Sequence, residues 1–150
     1  MTVRDEITGA RLLMHRRLTW AETDATGHHH FSAAVRWLEE GEHELFYRLG
    51  LGPMVPTLPR VTMQVDFRGR IWFGAELTVE VGVIALTRST ATFVTEVREG
   101  DEVKIESRHT VVHAPDPTGG SVPWDENVRA LLTTPGLVPV REPEGAVRPG

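Results

Sequence analysis

The stretch Trp20-Ala-Glu-Thr-Asp-Ala-Thr-Gly-His28 carries a single carboxylate, Asp24, in a short turn, with a glycine three residues on and an amphipathic helix close behind. Gly27 lets the backbone approach a neighbour closely, because no Cβ stands in the way. The N-terminus of a helix leaves N–H groups unpaired and favours negative charge. A carboxylate beside such an anion site is the minimum equipment for attack on a carbonyl. The plain alternative is that Asp24 only shapes its turn, since aspartate bonds its own backbone readily.

His28, His29 and His30 suggest a metal at first sight. Consecutive side chains rarely converge on one ion, and no Asp, Glu or His at a suitable spacing completes a set, so no metal is expected. One histidine should line a pocket and the others be packed or solvated; His30, nearest the helix start, is the choice. His109 and His113 share strand parity and read as packed strand residues. The segment Gly50-Leu-Gly52-Pro53 lacks the lysine and spacing of a phosphate loop.

Periodicity gives the elements that must hold these residues. Leu12, Met14 and Leu18 mark a strand over residues 11–20. Phe31, Ala34, Val35, Leu38, Leu45 and Leu49 recur at helical spacing, which predicts a helix over residues 31–49. Ser32 is the expected N-cap, with the boundary anywhere from Phe31 to Ala33. Gly50 and then Pro53 supply the stop. Gly41, near the apolar stripe, reads equally as close packing against a sheet or as a tolerated surface glycine. A period of two then takes over, in runs led by Val61, Leu77, Ala91 and Val103. Glu99-Gly100-Asp101 and residues 86–89 are short hairpin connections. A short helix over residues 124–132, with Asp125 near its start, follows. Residues 133–150, with four prolines and three glycines, should be irregular. The result is an α+β domain spanning residues 1–150: one long helix against a curved antiparallel five-stranded sheet, with its core over about residues 11–132.

Composition limits the partners. A chain of 150 residues, 40% apolar and 25% charged, suits one folded domain and excludes disordered and fibrous classes. A net charge of −5 argues against nucleic acid and anionic membrane as partners. With no cysteine, disulfides and thiolate chemistry are excluded. No apolar run approaches the roughly 20 residues of a membrane span. Residues 1–9 do not read as a signal peptide. A cytoplasmic protein is expected.

The turn Trp20-Ala-Glu-Thr-Asp-Ala-Thr-Gly27, followed by Val35-Arg-Trp-Leu-Glu-Glu40, resembles the 4-hydroxybenzoyl-CoA thioesterase family of hotdog acyl-CoA thioesterases. Phe73-Gly-Ala-Glu-Leu77, Arg88-Ser-Thr90 and Ser121-Val-Pro-Trp-Asp-Glu126 add further matches, and the likeness runs over roughly residues 11–132. The resemblance implies a hotdog fold and hydrolysis of an acyl-CoA or acyl-carrier-protein thioester, without metal or redox cofactor. By position, Asp24 would be the nucleophile or general base. The backbone amides near His30 and Phe31 would polarise the thioester carbonyl. Gly27 and His29 would contact substrate. Coenzyme A carries phosphates, which arginine suits; Arg68 at a strand end, and Arg88 beside Ser89 in a hairpin, are the candidates. The family implies a homodimer, or a dimer of dimers, with the site at the interface. After the glycine, the run His28-His-His-Phe-Ser-Ala-Ala34 departs from the family's usual asparagine and tyrosine. No His-Gly-Gly precedes the helix, so the helix-borne Glu39 and Glu42 are not read as catalytic. Two rivals stand beside this reading. A hotdog enoyl-CoA hydratase or dehydratase would pair Asp24 with His29, five residues apart. A non-catalytic acyl-CoA binder would hold substrate and turn over nothing.

Overall fold

The structure, a computed structural model, describes residues 2–141. Strand β1 (Ala10–Arg17) leads through a loop to helix α1 (Phe31–Arg48). Strands β2 (Arg60–Phe67), β3 (Glu76–Leu86), β4 (Thr90–Glu99) and β5 (Glu102–Val112) follow, then helix α2 (Glu126–Thr133) and strand β6 (Gly136–Leu137). The sheet runs β2-β5-β4-β3-β1-β6, antiparallel except for the β1–β6 pair.

The expected five-strand sheet is thus a six-strand one. The sixth strand is two residues long, pairing Gly136 and Leu137 with Ala10 and Arg11. So short a strand leaves no alternation to read, and only the free edge of β1 makes it one. The tail expected to be irregular from residue 133 therefore opens with the end of α2 and a docked strand; residues 142–150 lie outside the described residues. The core also reaches beyond residue 11. Ile7 and Ala10 are buried, and a 3₁₀ turn at Val3–Glu6 covers the outer sheet face, where Ile7 packs against Gly82.

Helix α1 ends as its sequence dictates. Gly50 takes φ +76°, Leu51 N–H donates to the Phe46 carbonyl (2.8 Å) and Gly50 N–H to that of Tyr47 (3.0 Å), a Schellman termination. Its buried face presents Ala34, Trp37, Leu38, Gly41, Leu45 and Phe46 to the sheet. Gly41 belongs to close packing: a Cβ there would meet Val81 Cγ1 at 3.3 Å. The strands answer with Val79 and Val81 on β3, Phe93 and Val97 on β4, and Ile105 and Val111 on β5, all fully buried. A long helix held in the curve of a sheet is the hotdog arrangement.

One part of this core is ionic. Glu42 on α1 accepts from His109 Nε2 (2.7 Å) and from Arg60 Nη2 (3.3 Å), and both Glu42 and His109 are sealed from solvent. His109 stacks on Phe93. The parity reading of His109 as a packed residue holds; its partner on the helix was not foreseen.

Candidate active site

The loop between β1 and α1 is built around Glu22. Trp20–Glu22 forms a 3₁₀ turn capped by Thr19, whose N–H and hydroxyl both donate to Glu22 Oε1 (2.9 Å each). Trp37 Nε1–H and Arg16 Nη2 donate to the other oxygen, both at 2.6 Å. Burial pushes the Glu22 carboxyl up, but the Thr19 amide, the Trp37 indole, the Thr19 hydroxyl and Arg16 together outweigh it and hold it below the usual carboxylate range. The carboxylate ties the loop to both β1 and α1. The Glu22 carbonyl in turn accepts His30 N–H (2.8 Å), pinning the residue that caps the helix.

Asp24 follows two residues later and is partly exposed. Its Oδ1 accepts from the Thr26 amide (2.8 Å) and the Thr26 hydroxyl; Oδ2 has no hydrogen-bond partner among the described residues. The Thr26 hydroxyl first, and then its amide, hold the Asp24 carboxyl below its ordinary value. Gly27 closes the turn at φ +88°, a conformation that suits glycine, with the Trp72 ring 3.8 Å from where a Cβ would stand.

The three histidines diverge. His28 packs edge-on to Trp72. His29 is buried at 6% exposure, stacks on Phe67, and is held twice by Ile71: its own N–H donates to the Ile71 carbonyl (2.8 Å), and the Ile71 amide donates to His29 Nδ1 (3.2 Å). Burial first, and His28 second, lower its pKa. His30, not Ser32, is the N-cap: Ser32 N–H donates to His30 Nδ1 (3.2 Å), and the Ser32 hydroxyl lies 2.8 Å from the same nitrogen.

A cleft of about 410 Å³ is lined by Asp24, His28, His29, Phe31, Phe67, Arg68, Gly69 and Arg70. Of the residues singled out from the sequence, it gathers Asp24, His29, Phe31 and Arg68, while Gly27 is not among those that line it. His30 does not line it, because its ring is turned to Ser32, and its amide is engaged by Glu22. The first amide of α1 left without an acceptor among the described residues is that of Phe31. Arg88 and Ser89 are not at the cleft. Their hairpin sits by Val112, whereas the cleft sits by Ile105, seven residues and roughly 23 Å along β5. There Arg88 and Ser89 offer their carbonyls to Trp124 and His113. The residues missed from sequence are His28, Phe67, Gly69 and Arg70. The signal for Arg70 was there, two residues beyond Arg68 in the turn that closes β2.

Residues 18–132 match the thioesterase-like superfamily, and the chain belongs to it. It is by class a thioester hydrolase. Among solved structures, it is similar to a predicted thioesterase from Bacillus stearothermophilus, with 23% identity over 84% of this chain and 99% of that one, and a TM-score of 0.75. A 1,4-dihydroxy-2-naphthoyl-CoA thioesterase from Synechocystis superposes with a TM-score of 0.74 at 15% identity, covering 81% of this chain and 95% of that one. The gentisyl-coenzyme A thioesterase BH1999 gives a TM-score of 0.72 at 17% identity, over 81% and 99% of the two chains. No curated protein matches the chain.

Proposed function

We propose that the protein hydrolyses an acyl thioester of coenzyme A or of an acyl carrier protein, with Asp24 as nucleophile or general base and the Phe31 amide as oxyanion donor. The observation that carries this is Asp24 itself: one oxygen is fixed by Thr26, the other has no partner among the described residues, and the residue lines a cleft together with Phe31, whose amide is the first of α1 left without an acceptor. In either role the thioester carbon gains an oxygen, the carbonyl electrons move onto its oxygen, and the C–S bond then breaks with the thiolate taking up a proton; where Asp24 is the nucleophile, water then cleaves the acyl–Asp24 anhydride to free the acid and restore the carboxylate. Arg68 and Arg70, at one end of the cleft, suit the phosphates of coenzyme A. Arg88 and Ser89 stay outside this proposal because they lie at the other end of the sheet.

The hydratase reading loses support from His29. Its Nδ1 already accepts the Ile71 amide, so it is not free to act as the base that such a pair requires. The named substrates of two similar structures, gentisyl-CoA and 1,4-dihydroxy-2-naphthoyl-CoA, make aryl-CoA thioesters the first to try. The test is release of free thiol across aromatic, short, long and branched acyl-CoAs. Thiol from at least one supports the reading. Loss of enoyl absorbance from crotonyl-CoA without thiol would overturn it in favour of hydration, and tight binding with no turnover would favour a non-catalytic binder.

The working unit proposed is a homodimer in the cytoplasm. Among the described residues β2 is an unpaired edge carrying exposed Val61 and Phe67, and α1 exposes Phe31 and Val35. Among the described residues no helix is long and apolar enough to cross a membrane.

A further inference from the structure

His29 is the buried polar side chain of the cleft whose second ring nitrogen remains unused. Only an unprotonated Nδ1 can accept the Ile71 amide, so in the neutral ring the proton must sit on Nε2. The ring is fixed by that bond, by its stack on Phe67 (5.9 Å between centroids, 18° between planes) and by the nearby Trp37 ring at 6.3 Å. Burial, which disfavours the imidazolium, keeps it neutral. Nε2 has no hydrogen-bond partner among the described residues and is not among the sealed polar atoms, although the residue is only 6% exposed. The ring lines the same cleft as Asp24 and Phe31. Two uncharged N–H donors without acceptors among the described residues, His29 Nε2–H and the Phe31 amide, thus belong to residues that line one cleft with the carboxylate.

We propose that His29 is a catalytic residue, its Nε2–H donating to the thioester oxygen together with the Phe31 amide. This rests on the thioesterase reading and adds a side-chain donor to it. As Asp24 Oδ2, or a water it deprotonates, adds to the thioester carbon, the carbonyl electron pair moves to the oxygen. Both N–H groups then bind that oxyanion without giving up their protons. When the pair returns, the C–S bond breaks and the thiolate leaves, taking up a proton; where Asp24 was the nucleophile, water then cleaves the acyl–Asp24 anhydride. A neutral donor with a locked tautomer suits this task because it needs no reorganisation as charge develops. The same lock makes His29 unsuited to proton transfer.

Two substitutions separate donor from scaffold. In His29→Asn, the amide oxygen can stand where Nδ1 stands and keep the Ile71 bond, but no donor reaches the Nε2 position. In His29→Gln, the amide nitrogen can reach the Nε2 position while the Ile71 bond is lost. The donor role predicts that His29→Asn melts near wild type yet loses kcat on the order of 100-fold with KM nearly unchanged, while His29→Gln keeps the greater share of kcat. Nitrogen NMR of the wild-type ring should show the proton on Nε2. Retention of kcat by His29→Asn, or a ring protonated on Nδ1, overturns the assignment. If the wild-type protein releases no thiol from any acyl-CoA, it is the thioesterase reading that fails, whatever the ring's tautomer.

Discussion

At the scale of single residues, Asp24 is both held and free: Thr26 takes one oxygen and leaves the other without a partner among the described residues, in a residue that lines the cleft. Asp24→Asn can keep the turn, because asparagine still accepts from Thr26, but it can neither attack a thioester nor deprotonate water. Steady-state kinetics should show a loss of roughly 10²–10⁴ in kcat, with the melting temperature close to wild type. A folded variant retaining more than about a tenth of the activity would contradict the role, given the size of that expected loss. Thr26 gives a second, independent handle. Its hydroxyl is the largest cause of the depressed Asp24 pKa, with the charges of His28 and His30 acting in the same direction. A carboxylate with a depressed pKa stays ionised to lower pH, so activity that needs the anion extends further into acid. Thr26→Val removes the hydroxyl and should move the acid limb of kcat/KM to higher pH, with the rate at neutral pH little affected. An unmoved limb would mean that Thr26 does not control the ionisation on which turnover depends.

At the scale of elements, α1 is set by two buried carboxylates in different ways. Glu22 fixes its N-terminal end through Trp37 in the second turn and through the carbonyl bonded to His30. Glu42 crosses to β5 and β2 through His109 and Arg60. Removing one partner of a buried hydrogen-bonded pair leaves the other unsatisfied, whereas replacing both with well-packed apolar groups can be nearly neutral. Glu42→Leu should therefore cost about 3 kcal/mol in chemical denaturation. Adding His109→Phe should recover part of it, because Phe93 already supplies a stacking face. If the double variant is no more stable than Glu42→Leu alone, the two residues are not energetically coupled. Gly41 is the contact of α1 with β3. Gly41→Leu, driven against Val81, should destabilise by about 1–3 kcal/mol, read as a lowered denaturation midpoint.

At the scale of the whole molecule, part of the exposed apolar surface lies on β2 and on α1. Val61, Phe67, Phe31 and Val35 are exposed beside an unpaired sheet edge. Such an edge is ordinarily charged, shortened or covered. Sedimentation equilibrium should find a dimer at micromolar concentration, and Val61→Lys should shift it toward monomer without unfolding the chain. A wild-type monomer at that concentration would remove the dimer from the proposal.

The sequence by itself determined what depends on local repeat and local turn chemistry. The 3.6-residue stripe from Phe31 to Leu49 fixed α1 to within a residue, because one face of a helix must be apolar to bury it. The two-residue alternation marked β2 to β5 for a similar reason, although Val61 and Phe67 of β2 are exposed. The turn at Asp24 and Gly27 was legible because its hydrogen bonds close within three residues. Tertiary structure alone decided what hangs on partners far along the chain. His29 faces the cleft because Ile71, 42 residues on, grips it twice, while His30 looks the same in sequence but turns to Ser32. Arg88 and Arg68 are alike as charges, and only the length of β5 between their ends puts one at the cleft and the other far from it. The two-residue β6 has no pattern of its own and exists because β1 offers it an open edge. Periodicity carries which face a residue presents, but not which side chain meets it there; that choice is made when distant segments are packed to a common density and every buried polar group must find its partner.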